Sequence, residues 1–310
     1  AKLAAVCSLA PEERQRAAGQ LGNPALFESY EAMIEKGELD AVAIVSPSGF
    51  HVDHMILALE AGLHIFCEKP LGLDLESCRR AEAAHARHPD QQVMLGFMRR
   101  FDPTYREARK RLRSGDVGRP ILFRSYSIDP ESAIDGAIRF APTSGGQFLD
   151  MAIHDIDLAR WYLQAEPVSV FAAGDCYAHP EFAEHGDGDN LAAFMQFDNG
   201  SLAFFLAGRT APNGYQVESE IIGTRQTLRI ATTPQRNHLE ILDPHGVRRV
   251  CSQNFLERFA EAFLTEMQAF IDGIRERKPP EITLADGTAA TRIALAATES
   301  FRRNELVRLS

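Results

Sequence analysis

Two short stretches hold residue types that could move a proton and stabilise a developing charge. At Cys67-Glu68-Lys69-Pro70 an acid and an amine follow directly on an apolar run. Pro70 removes one backbone donor and biases Lys69 toward extended geometry, which would fix the side chain at the end of that run. An ammonium held there can hydrogen-bond a substrate hydroxyl and stabilise the alkoxide that forms as hydride leaves. The plain alternative is a solvated turn. Further along, Asp150, His154 and Asp157 are spaced to put acid, imidazole and acid on one helix face. A carboxylate beside His154 favours the imidazolium and helps the ring accept a proton near neutral pH. A surface pair with no task fits the same spacing. A third stretch, Ser46-Pro47-Ser48-Gly49-Phe50-His51, ends an apolar run in small, turn-forming residues. A cofactor could lie against such a backbone, and so could an ordinary strand-to-helix turn.

The elements needed to position these groups are legible in the hydrophobic pattern. Residues 1–7 form an apolar strand, and Pro11-Glu12-Glu13 opens a helix to about residue 20. A short helix is expected over 30–37. The run over 39–45 is nearly continuous in apolar residues, as in a strand buried on both faces. A helix over 51–61, a strand over 63–67, a helix over 75–88 capped by Asp74 and a strand over 92–97 complete a β/α alternation. That rhythm predicts a doubly wound, Rossmann-type parallel sheet. Past about residue 100 it changes: a helix over 103–115, a strand over 120–128 and a helix over 148–163 precede a series of strands between 168 and 242. Turns such as Asp198-Asn199-Gly200 predict a mostly antiparallel, open sheet. Helices over 256–277 and 285–303 close the chain. The expected domains are 1–98, dinucleotide-binding, and 99–310, an α+β substrate-binding and oligomerisation domain.

Bulk properties narrow the partners. The 310 residues are 45% hydrophobic and carry a formal charge of −10 without a basic run, which disfavours nucleic acid and anionic membranes. No apolar run approaches the roughly 20 residues of a membrane span. The five cysteines are scattered and odd in number, a pattern of the reducing cytoplasm. His51, Asp53 and His54, or Asp150, His154 and Asp155, offer metal-ligand types. Their spacing matches no closed zinc signature, so no metal is expected. No G-x-S-x-G elbow supports a nucleophilic serine. Trp161 is assigned to the core.

Taken in order, Glu68-Lys69-Pro70 after the Ser46-Pro47 loop, Gly96-Phe97-Met98-Arg99-Arg100-Phe101-Asp102, Ser144-Gly145-Gly146 and Asp150-Met151-Ala152-Ile153-His154 resemble the glucose-fructose oxidoreductase / inositol dehydrogenase (Gfo/Idh/MocA) family over essentially the whole chain. The Gly96 to Asp102 stretch is most similar to inositol 2-dehydrogenases. The resemblance implies a polyol dehydrogenase using NAD, with NADP possible. In it Lys69 is the catalytic lysine, His154 the base and Asp150 its partner. Ser8, Ser46, Pro47, His51, Glu68 and Lys69 would face the cofactor. Met98, Arg99, Asp150, His154 and Tyr215 would line the substrate site, with Asp129 and Asp135 setting hydroxyl preference.

Two departures accompany the resemblance. The family's opening strand and G-x-G-x-x-G turn do not occur in these residues, and we expect them upstream of Ala1. Ser8 stands where NAD-preferring members carry an acid that grips the ribose diol; no arginine follows it directly, which keeps NAD ahead. A sugar or aldose dehydrogenase on the same scaffold, a non-catalytic NAD(P)-binding ligand sensor and a metal-assisted hydrolase are the competing functions. A homodimer or homotetramer through the open sheet is expected, because that face needs covering.

Overall fold

The computed structural model describes residues 1–231 and 235–309. Two compact units result: Ala1–Gly96 with Met267–Thr288, and Phe97–Glu266 with the segment from Ala289 onward. The sequence pattern assigned the whole C-terminal tail to the second domain; the structure returns 267–288 to the first.

The first unit runs β1 (Ala5–Cys7), α1 (Pro11–Gln20), β2 (Ala25–Phe27), α2 (Tyr30–Lys36), β3 (Ala41–Ile44), α3 (His51–Glu60), β4 (His64–Glu68), α4 (Leu75–Ala86) and β5 (Val93–Gly96). Every pairing is parallel, β1 with β2 and β3 with β4 with β5. The two groups form separate sheets among the described residues. β4 and β5 bury Ile65, Phe66, Cys67, Val93, Met94 and Leu95, as their unbroken apolar runs require. Asp74 caps α4 as expected, its Oδ1 accepting from Ser77 N at 2.7 Å. β2 was not legible, being only three residues long. Gly273 and Gly287 lie close to this sheet: a Cβ on the first would meet Gln92 Nε2 at 2.4 Å, and on the second Leu95 Cδ1 at 2.2 Å.

The second unit contains α5 (Pro103–Arg113), β6 (Pro120–Pro130), α6 (Ile134–Ser144), α7 (Gln147–Asp150), α8 (Ile153–Leu163), β7 (Pro167–Asp175), β8 (Asn190–Phe197), β9 (Leu202–Ala211), β10 (Gln216–Gly223), β11 (Thr227–Ile230), β12 (Gln235–Asp243) and β13 (Gly246–Cys251). Helices α9 (Phe255–Glu276) and α10 (Leu284–Arg303) follow, and β14 (Val307–Arg308) ends the chain. A seven-stranded sheet has the order β11-β10-β6-β9-β8-β7-β14 and is antiparallel except for β6 with β9. Helix α8 packs on β6, and Phe123 lies between Tyr162 and Phe205. On the other face the paired Phe171 and Phe194 are exposed.

The helix expected over 148–163 is two helices. Gly145 and Gly146 both adopt positive φ, 80° and 94°, and Asp187 accepts from Gln147 N at 3.0 Å to start α7 afresh. The ladder then slips: Ala152 N reaches back to Gln147 O, and His154 N bonds Met151 O rather than Asp150 O. Asp150 therefore ends one helix and His154 sits in the first turn of the next. Helix α6 went unread because Gly136 and Pro142 interrupt its pattern.

Candidate active site

In the first unit, the ends of parallel strands present three groups. Ser8 closes β1; its hydroxyl donates to Glu13 Oε2 at 2.6 Å, and Arg14 Nη1 donates to the Ser8 carbonyl at 2.6 Å. The strand end thus has a carboxylate after all, delivered from the first turn of α1. Local spacing hid it, since Glu13 reads as a helix-dipole partner.

Beyond β3, Ser46 and Pro47 lead into a 3-10 turn at Ser48–Phe50 and then α3. His51 begins that helix at 1% exposure. Its Nδ1 is 2.7 Å from the Pro70 carbonyl and its Nε2 2.8 Å from the Ser46 carbonyl. The ring spends both nitrogens on backbone, so it ties the Ser46 loop to the turn after β4. Burial, the largest influence, pushes its pKa below the ordinary histidine value, although both carbonyls favour the charged form.

At the end of β4, Glu68 and Lys69 are half-buried and the Lys69–Pro70 peptide is cis. Glu68 Oε2 accepts from Lys69 N at 3.3 Å. Burial raises the Glu68 carboxyl against the opposing pull of the Lys69 ammonium. Gly96, ending β5, leaves room for that carboxylate: a Cβ there would stand 3.1 Å from it. Ligands of open parallel sheets bind beyond the carboxyl ends of the strands, and a carboxylate there can accept from the ribose hydroxyls of a dinucleotide. The residues present fit that group.

In the second unit, His154 is 7% exposed, its ring edge-on to Phe97 at 5.9 Å. Asp150 is half-buried and its Oδ2 accepts from Arg209 Nη2 at 2.9 Å. Asp129 Oδ2 lies 3.7 Å from Arg209 Nη1. Met98 is buried; Asp135 is exposed in the first turn of α6. Arg99, at 2% exposure, donates to Asp155 Oδ1 at 2.7 Å and to Ser127 Oγ at 3.1 Å. Ser125 and Ser127 complete the shell of Asp155. Tyr215 is buried, and burial raises its pKa against the pull of the Arg99 guanidinium.

Asp157, three residues after His154 in the same helix, is not available to it as a second acid. It is buried in an ion pair with Arg100, whose Nε donates to Oδ2 at 2.8 Å. Asp155, weighed above as a metal ligand, is likewise committed to an arginine. Trp161 is half-buried rather than core, with the guanidinium groups of Arg100 and Arg109 over its ring at 5.8 and 5.4 Å. Arg209 escaped notice altogether. Its signal was alternation: 203, 205, 207 and 209 share one face of β9, and an arginine in that apolar stripe asks for a partner.

Comparison with known proteins places the chain. Residues 1–97 match the oxidoreductase family with an NAD-binding Rossmann fold, and residues 105–229 the GFO/IDH/MocA C-terminal domain. The chain belongs to the GFO/IDH/MocA oxidoreductase family. Among GFO/IDH/MocA relatives, scyllo-inositol 2-dehydrogenase (NAD(+)) of Bacillus subtilis is 35% identical over 100% of this chain and 89% of its own length. Myo-inositol 2-dehydrogenase of Thermotoga maritima is 31% identical, covering 94% of this chain and 86% of that protein. The solved scyllo-inositol dehydrogenase of Lactobacillus casei with bound NAD(H) and scyllo-inositol is 44% identical, with a TM-score of 0.94 over 99% of this chain and 91% of that one.

Proposed function

We propose that this protein oxidises one ring hydroxyl of scyllo- or myo-inositol to the ketone, passing hydride to NAD+. The observation that carries the reading is the similarity, over 99% of the chain, to an enzyme solved with NAD(H) and scyllo-inositol bound. The half-buried Lys69 at a strand end and the Asp150/His154 pair across a helix break are compatible with it.

NAD+, when bound, supplies the hydride acceptor. His154 takes the hydroxyl proton, and Lys69 hydrogen-bonds the same oxygen and stabilises it as charge develops. Asp150 orients the substrate. Ser8, Ser46, Pro47 and Glu68 serve the cofactor together with Lys69, and His51 contributes by holding two of those backbone turns. Met98, Arg99, Asp129, Asp135 and Tyr215 shape the substrate side, Arg99 and Tyr215 from within their buried network. The Glu13 carboxylate at Ser8 supports NAD ahead of NADP, since it would repel a 2′-phosphate.

The dinucleotide-binding role falls to the unit that ends near residue 98 and takes back 267–288, and the substrate role to the remaining residues. The exposed Phe171 and Phe194 on one face support pairing of two copies through the seven-stranded sheet, as a homodimer or homotetramer. A monomeric mass by light scattering at micromolar protein would contradict that. No helix among the described residues is long and apolar enough to cross a membrane, and the five cysteines are free, which supports a cytoplasmic location.

The test is a panel of inositols and aldoses against NAD+ and NADP+, read as reduced cofactor. Turnover is expected with scyllo- or myo-inositol and NAD+. Turnover on aldoses alone would overturn the substrate assignment.

A further inference from the structure

Arg209 is 4% exposed, on the face of β9 that also buries Ala203, Phe205, Ala207 and Ala211. Its Nη2 donates to Asp150 Oδ2 at 2.9 Å, its Nη1 stands 3.7 Å from Asp129 Oδ2, and its guanidinium lies over Phe182 at 5.3 Å. Its buried Nε has no hydrogen-bond partner among the described residues. A leucine or methionine would fill that layer without the desolvation cost of a charge, so packing does not account for the residue.

The strand register adds a second observation. β6 and β9 run in step up to Ile128 with Gly208 and resume at Pro130 with Ala211. Asp129 therefore stands opposite Arg209 and Thr210 together, at a bulge. Bulges re-aim side chains and concentrate beside functional sites. Here the irregularity brings Asp129 alongside the guanidinium that already holds Asp150.

We propose that Arg209 is a positioning and specificity residue: it holds Asp129 and Asp150 side by side as ionised acceptors for two hydroxyls of one uncharged polyol ring. This rests on the inositol dehydrogenase reading. Adjacent nitrogens of one planar group fix two carboxylates in a geometry that a flexible ammonium cannot reproduce. Two carboxylates against one guanidinium leave net negative charge, which rejects anionic rings such as an inositol monophosphate.

The experiment measures steady-state kinetics across pH and calorimetric binding of scyllo-inositol to the full-length protein with NADH, for the unaltered protein, Arg209→Met, Arg209→Lys and Asp129→Asn. Arg209→Met is expected to raise KM at least about tenfold and to move the acid limb of kcat/KM to higher pH, because a carboxylate loses its cation. Arg209→Lys restores the acid limb but leaves KM raised about fivefold. In a parallel calorimetric titration with an inositol monophosphate, Asp129→Asn narrows the discrimination against that anion. A folded Arg209→Met with unchanged KM and pH profile overturns the proposal. Should that variant not fold, an unchanged KM in Arg209→Lys overturns it instead. If the unaltered protein binds scyllo-inositol without turnover, the functional reading fails, and weaker binding by the Arg209 variants still supports the positioning role. Absence of binding by the unaltered protein overturns both.

Discussion

The Ser8 hydroxyl donates to the Glu13 carboxylate at 2.6 Å, and this contact places an acid at the end of β1 where the sequence has a serine. A carboxylate there can accept from a ribose hydroxyl and repels a phosphate in the same place. Glu13→Gln is expected to weaken NAD+ binding several-fold and to narrow the gap between NAD+ and NADP+ by about tenfold, the scale of one charge interaction near a surface. Fluorescence titration with both reduced cofactors reads this directly. An unchanged NAD/NADP ratio would remove Glu13 from the cofactor site.

His51 makes folding stability depend on pH. Its folded-state pKa lies below the 6.5 of an unperturbed ring, because burial opposes the charge. Between those two values the unfolded chain binds more protons than the folded one, so stability rises with pH through the window. The contribution is present above pH 6.5 and is lost as pH falls toward the folded value. His51→Gln should cost about 1–3 kcal/mol at pH 7.5 through its two buried backbone partners, yet lose less than the unaltered protein on going to pH 5.5. Urea unfolding at the two pH values checks it; parallel losses in both proteins would contradict it.

Asp157 is structural, and its removal should be read in stability. Asp157→Ala strands the buried Arg100 guanidinium and is expected to cost about 3–5 kcal/mol. Asp150→Asn breaks a contact of a half-buried carboxylate and should lower turnover far more than it lowers the melting temperature. Thermal unfolding beside activity separates the two acids; equal destabilisation would erase the distinction.

The difference between these acids marks what the sequence could reveal. Lys69 at a strand end and the His154 region were legible because strand ends and short spacings are local properties. The helix break between Asp150 and His154 was not, since it is a slip in the backbone hydrogen-bond ladder that no residue type in 150–154 announces. Likewise Asp157 read as a companion of His154, but Arg100 claims it. The parallel sheet of the first unit followed from unbroken apolar runs. β2 and α6 did not, one too short and the other interrupted by Gly136 and Pro142.

The central claim is that Lys69 and His154 of this protein act on a polyol hydroxyl with NAD+ as acceptor. The most direct test is the initial rate of NADH formation at saturating NAD+ and scyllo-inositol by the full-length protein, beside Lys69→Met and His154→Ala. Turnover by the unaltered protein and losses of at least about a hundredfold in kcat in both folded variants are expected for a charge stabiliser and a general base. Turnover retained in either folded variant, or no NADH from the unaltered protein, would contradict the account.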